Sequence, residues 1–138
     1  MSDVSLSRES IRASVLGLEE ILKQQPDQYS GKVLHHYAPS LYGREIFMAK
    51  GDLVVGKLHK HAHLNSLLEG SCTVVTEDGK ELLTAPLVWV SEPHIKRAVY
   101  CHTDVRWVTY HPTEETDLTK IEAEVIAPDY QTLLGEEI

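Results

Sequence analysis

Gly51-Asp-Leu-Val-Val-Gly-Lys57-Leu-His59-Lys-His61-Ala-His63-Leu-Asn65-Ser-Leu-Leu-Glu-Gly70 gathers three of the chain's 8 histidines between two glycines. Leu53 to Leu58 is a β-rich run, and side chains alternate between the faces of a strand, so Lys57 and His59 share a face. Lys60–Ala62 reads as a tight turn, after which His63 opens a neighbouring strand and points the same way. His59 and His63 can then present two imidazoles to one ligand, while His61, at the turn, faces solvent.

Outward from this segment the pattern continues. The runs Arg44–Ala49, Leu64–Leu68, Cys72–Thr76, Glu81–Leu83, Leu87–Val90, Lys96–Cys101 and Val105–Tyr110 are parted by turn residues such as Lys50-Gly51-Asp52 and Ser91-Glu92-Pro93. Asp78-Gly79 predicts a tight hairpin. About eight short strands at this spacing predict an all-β sandwich or barrel. Helical periodicity brackets them. Ile11, Val15, Leu18 and Leu22 make an apolar stripe over Leu6 to Gln25, with Ser5 or Ser7 to cap it and Pro26 to stop it. Residues 29–40 read as irregular, with Gly31 and Pro39 as breakers. A second helix is expected from Thr116, with Leu118, Ile121, Val125 and Ile126 on one stripe and Pro128 at its end. The 138 residues thus read as a single domain: an N-terminal arm over 1–43, a β-barrel over 44–111, and an acidic helix and tail over 112–138.

The segment from Gly51 to Gly70 resembles the first motif of the cupins, written G-x5-H-x-H-x3-E-x6-G. Both glycines fit without a gap, which puts Lys57 on the first His, His59 on the second and His63 on the Glu. The second motif, G-x5-P-x-G-x2-H-x3-N, is anchored on Pro93; Leu87, Ile95, Ala98 and His102 then stand at its Gly, Gly, His and Asn. The likeness covers residues 44–111, and the wider context resembles small cupin-like proteins often encoded by bacteriophages. It implies a jelly-roll β-barrel with flanking helices and a small-molecule pocket, with Lys57, His59 and His63 facing its cavity. Ala98, Tyr100 and His102 share a face of their strand, so His102 can supply a third nitrogen. The candidate metal ligands are therefore His59, His63 and His102, with His61 as the alternative. Three imidazoles suit Zn, Fe, Mn, Ni or Cu, and ligand type alone does not choose among them. A cupin with Lys and Ala at two ligand positions can equally hold no metal. Lys57, His59, His63, Asn65, Tyr100 and His102 are the candidate ligand-binding residues, and Lys57 or Tyr100 is the candidate acid–base group.

Composition narrows the partners. Hydrophobic residues make up 42% and charged residues 25%, an ordinary globular mix, and no apolar run approaches a membrane span. The net charge is −8, and residues 112–138 hold 1 basic and 8 acidic groups against 8 and 8 in 44–111. Binding to a nucleic-acid backbone is not expected from such a chain. Met1-Ser2-Asp3-Val4 has no basic stretch leading into an apolar core, so a cytoplasmic setting is expected, the host's if the protein is phage-encoded. Cys72 and Cys101 read as buried thiols. Lys96, Arg97 and Arg106 read as a solvated strand edge, and His35, His36 and His111 as surface histidines. Sheet edges and an uncovered sheet face predict a homodimer or larger closed assembly. The expected function is small-molecule binding in a His-rich pocket. The alternatives are a metal-dependent enzyme acting on a small polar substrate, or a non-catalytic binder of an anion such as a nucleotide or sugar phosphate.

Overall fold

The computed structural model describes residues 7–23 and 32–127. Helix α1 (Arg8–Lys23) precedes the strands β1 (Val33–Ala38), β2 (Leu41–Met48), β3 (Leu53–Val55), β4 (Leu58–His59), β5 (His63–Glu69), β6 (Ser71–Thr76), β7 (Gly79–Thr84), β8 (Leu87–Ser91), β9 (Ala98–Cys101) and β10 (Val105–Pro112). Helix α2 (Leu118–Val125) and the short β11 (Ile126–Ala127) follow. The expected helix limits at Leu6 and Gln25, the Ser5 cap, the breaker Gly31, the stops at Pro26 and Pro128 and the tail 128–138 lie outside the described residues. No helix among those described is long and apolar enough to cross a membrane.

Two antiparallel sheets face each other, one ordered β1-β2-β10-β5-β8 and the other β3-β9-β6-β7, with β4 and β11 pairing at one end. β1 and β8, and β3 and β7, are sheet edges with one partner each among the described strands, so the sheets do not close into the expected barrel. The fold is a jelly-roll-like β-sandwich. Its core comes from alternate residues of both sheets: Met48, Leu67, Val105 and Trp107 from one, Cys72, Val74, Leu83, Val99 and Cys101 from the other. Cys72 and Cys101 stand opposite each other in register as free, fully buried thiols, and burial pushes both up to about 11. Gly70, between β5 and β6, has φ +88°, and a Cβ there would lie 2.1 Å from the Asp104 carbonyl oxygen. The closing glycine of the sequence motif is thus fixed by sterics at the point where the chain changes sheet.

The expected run Leu53–Leu58 divides into β3 and β4, with Gly56 and Lys57 between them. Residues 33–38, expected to be irregular, form β1, which pairs with β2 from Val33↔Ile46 to Ala38↔Leu41. The sandwich therefore begins at Val33 and not at Arg44. α1 packs against β3 and β6. Its first turn is closed by Ser7, whose Oγ accepts from the Ser10 N–H at 3.1 Å. Val15 is its buried contact, and ion pairs Arg12–Glu77 and Glu19–Lys96, both 2.7 Å, tie it to the sandwich.

Candidate functional site

At the end of the sandwich near α2, three imidazoles meet. His59 comes from β4, His63 from β5 and His111 from β10, with ring centroids 4.3 Å apart for His59–His63, 4.9 Å for His63–His111 and 5.2 Å for His59–His111. Pairing places them. β5 and β10 are sheet neighbours, and β4 is held by β11 through Ile126↔His59. The His59 carbonyl accepts from the His94 N–H at 2.9 Å, and the Lys60 N–H donates to the Val125 carbonyl at 2.8 Å. Nδ1 of His59 and Nε2 of His63 are buried with no hydrogen-bond partner among the described residues. Burial, aided by the charges of neighbouring histidines and of Arg97 and Arg44, lowers His59 to about 3. Burial likewise lowers His111 to about 4, and it lowers His63 against the opposing bonds to the His61 carbonyl and Asn65. All three rings are neutral at pH 7.

Two of the three, His59 and His111, line a cavity of about 330 Å³ between the sheets, and His63 packs against them outside its lining. Ile46, Met48, Val54, Val99 and Trp107 form its apolar wall, and Leu118, Ile121 and Val125 of α2 cover one side. Tyr42, Arg44, Lys57, His59, Arg97, Thr109, His111 and Glu122 give it polar surface. The Tyr42 hydroxyl is bonded to Nδ1 of His35 at 2.6 Å, and burial raises Tyr42 to about 12. The Arg97 guanidinium donates to Ser91 Oγ.

The sequence-predicted residues divide. His59 and His63 come together as expected, and Lys57 lines the exposed edge of the cavity. His61 is exposed on its turn. Asn65 is fully buried and acts as a bracket: its Nδ2 donates to Ser91 Oγ at 2.7 Å and its Oδ1 accepts from Trp107 Nε1 at 3.0 Å. It is not among the residues that line the cavity. Tyr100 and His102 do share a face, but it is the outer one. Tyr100 is exposed, and exposed His102 bonds Thr73 Oγ1 through Nε2 at 2.6 Å. The register explains this. Val99 pairs with Val54 and Cys101 with Cys72, so the odd residues of β9 point inward, and a shift of one residue exchanges the faces. The third imidazole is His111, expected at the surface. Its parity with Val105 and Trp107 was a readable signal, as was that of Arg97 with Val99 and Cys101.

These side chains do not fit a metal centre. No group of three or more His, Cys, Asp or Glu among the described residues is set to hold an ion. The guanidinium of Arg97 acts on the same imidazoles that would have to accept a dication.

No family model and no curated protein matches the chain. Solved structures do. Salicylate 1,2-dioxygenase from Pseudaminobacter salicylatoxidans aligns with TM-score 0.57 and 12% identity over 86% of this chain and 35% of that one. Ectoine synthase from P. lautus aligns with TM-score 0.54 and 16% identity over 69% and 74%. A cupin-2 domain containing protein from Shewanella frigidimarina aligns with TM-score 0.48 and 10% identity over 70% and 92%. At such identities the likeness is one of fold alone, the jelly-roll-like sandwich.

Proposed function

We propose that the protein binds a small molecule in the cavity beside His59, His63 and His111, and that it does so without a metal. The observation that carries this reading is a cavity of about 330 Å³ lined by His59 and His111, where Nδ1 of His59 is buried with no partner among the described residues. Buried polar atoms normally find partners, and a bound molecule would supply them. The volume is at the small end of ordinary ligand pockets, ~300–1,000 Å³. Neutral imidazoles serve such a ligand as donors or acceptors, chosen by tautomer. The test is thermal unfolding of untagged protein against a library of small polar molecules. At least one should raise the wild-type Tm and leave Thr109→Trp, which fills the cavity, unshifted. No shift in the wild type, or the same shift in Thr109→Trp, overturns the reading. Metal content is measured alongside, because the competing reading is a metal-dependent enzyme. Stoichiometric metal that is lost in His59→Ala would replace the metal-free reading with that one.

A further inference from the structure

Of the three cations that read as a strand edge, two are neutralised. Lys96 Nζ lies 2.7 Å from Glu19 Oε2, and Arg106 pairs with Glu45 and Glu69. Arg97 is different. It is half-buried, it lines the cavity, and its partner among the described residues is the neutral hydroxyl of Ser91, with no carboxylate in ion-pair reach. Burial lowers its pKa, as expected of a desolvated cation. Such a charge is costly unless something pairs with it. The guanidinium is nonetheless held in place, because Ser91 Oγ is fixed by Asn65 and Asn65 by Trp107. Arg44 and Lys57 add positive charge at the exposed edge of the cavity, and Glu122 of α2, also exposed, is the one carboxylate among the described lining residues. Past this polar ring the wall is apolar.

We infer that the cavity takes an amphipathic anion: a carboxylate or phosphate head group paired with Arg97, on a small apolar body lying against Met48, Val54, Val99 and Trp107. This rests on the proposed small-molecule reading and names the ligand class. A guanidinium offers a planar fork that meets either head group with two parallel hydrogen bonds.

Titration calorimetry on the full chain tests it with hexanoate and hexyl phosphate, using hexanol, hexylamine and inorganic phosphate as controls. One or both hexyl anions should bind while the controls bind at least tenfold more weakly, and the stronger anion identifies the head group. Arg97→Gln should weaken that anion at least tenfold, with the circular dichroism spectrum unchanged. Where Arg97→Gln does not fold, Arg97→Lys decides, since it keeps the charge and loses the fork; it should weaken binding several-fold, and wild-type affinity overturns the inference. Hexanol or hexylamine binding as tightly as the anions also overturns it, as does inorganic phosphate matching hexyl phosphate. A neutral or cationic library ligand that Thr109→Trp abolishes leaves the cavity reading standing and sinks the anion alone. No ligand of any kind sinks both.

Discussion

His59 and His111 keep their rings uncharged because water is stripped from the imidazolium, and this ties stability to pH. Both have folded pKa values, about 3 and about 4, below the ordinary 6.5. The unfolded chain therefore binds more protons over this window, and the stabilisation is complete above pH 6.5 and lost as pH falls toward 4. Each fully depressed imidazole contributes at most about 1.4 kcal/mol per pH unit across it. Ordinary carboxylates hardly titrate above pH 5.5, so a fall in Tm between pH 6.5 and 5.5 is the signature of these rings. Replacing both His59 and His111 by Gln should make it shallower, leaving the share of His63, and an equally steep slope in the double variant would refute the assignment. Asn65 makes a different prediction. Asn65→Ala leaves the Trp107 N–H and Ser91 without their buried partner, which should cost about 1–3 kcal/mol in denaturant unfolding. At this scale the sequence was partly legible. His59 and His63 follow from spacing within one motif, because a strand and a tight turn have few geometries. His102 and His111 depended on the parity of strands far along the chain. The surviving proline of the second motif does not set that parity, whereas the apolar residues Val99 and Trp107 do.

Helix α2 shows how an element completes the cavity. Asp117 caps it, its carboxylate accepting from the Thr119 N–H at 2.9 Å and the Lys120 N–H at 3.3 Å. Ile121 and Val125 are buried beneath it, Thr113 donates to Glu124 at 2.8 Å, and Lys60 Nζ donates to the Ala123 carbonyl at 2.7 Å. Asp117→Ala should cost about 1 kcal/mol of stability, since it removes the acceptor for two helix-end N–H groups. Hydrogen exchange should accelerate across Leu118–Val125 and stay unchanged in β6 and β9; protection unchanged in the helix would contradict the role of the cap. Both helices were legible because each has an apolar stripe at helical spacing. β1 was not. Val33-Leu-His-His-Tyr-Ala puts His35 inward onto Tyr42 and His36 outward onto Glu45, so neither face is purely apolar. Pairing with β2 alone makes it a strand, and that pairing leaves no trace in local periodicity.

For the molecule as a whole, the succession of short strands was legible, though about eight were expected and eleven are described, but whether the sheets close was not, because closure depends on which edges meet. Among the described residues, the open sandwich leaves the outer face of the larger sheet uncovered. Leu41 pairs with Pro112, Tyr110 with Leu64 and Leu64 with Val90, so apolar side chains run across four strands. Val88 and Val90 are 64% and 61% exposed, and Leu64 and Leu68 are 43% and 42% exposed on the same face. On this face His36 bonds Glu45, Arg106 pairs with Glu45 and Glu69, and the Lys32 ammonium lies over the Phe47 ring. The apolar row itself is neutral, and a second copy brings an identical neutral row to it. We propose that this face is the contact of a twofold dimer, since exposed apolar surface of this extent marks an interface. Light scattering should give about twice the 15.5 kDa of one chain. Val88→Lys with Val90→Lys puts two like charges on each side of the contact and should return a folded species of single-chain mass. A wild type that is already monomeric at micromolar concentration, or a double variant that remains dimeric, would place the contact elsewhere or remove it.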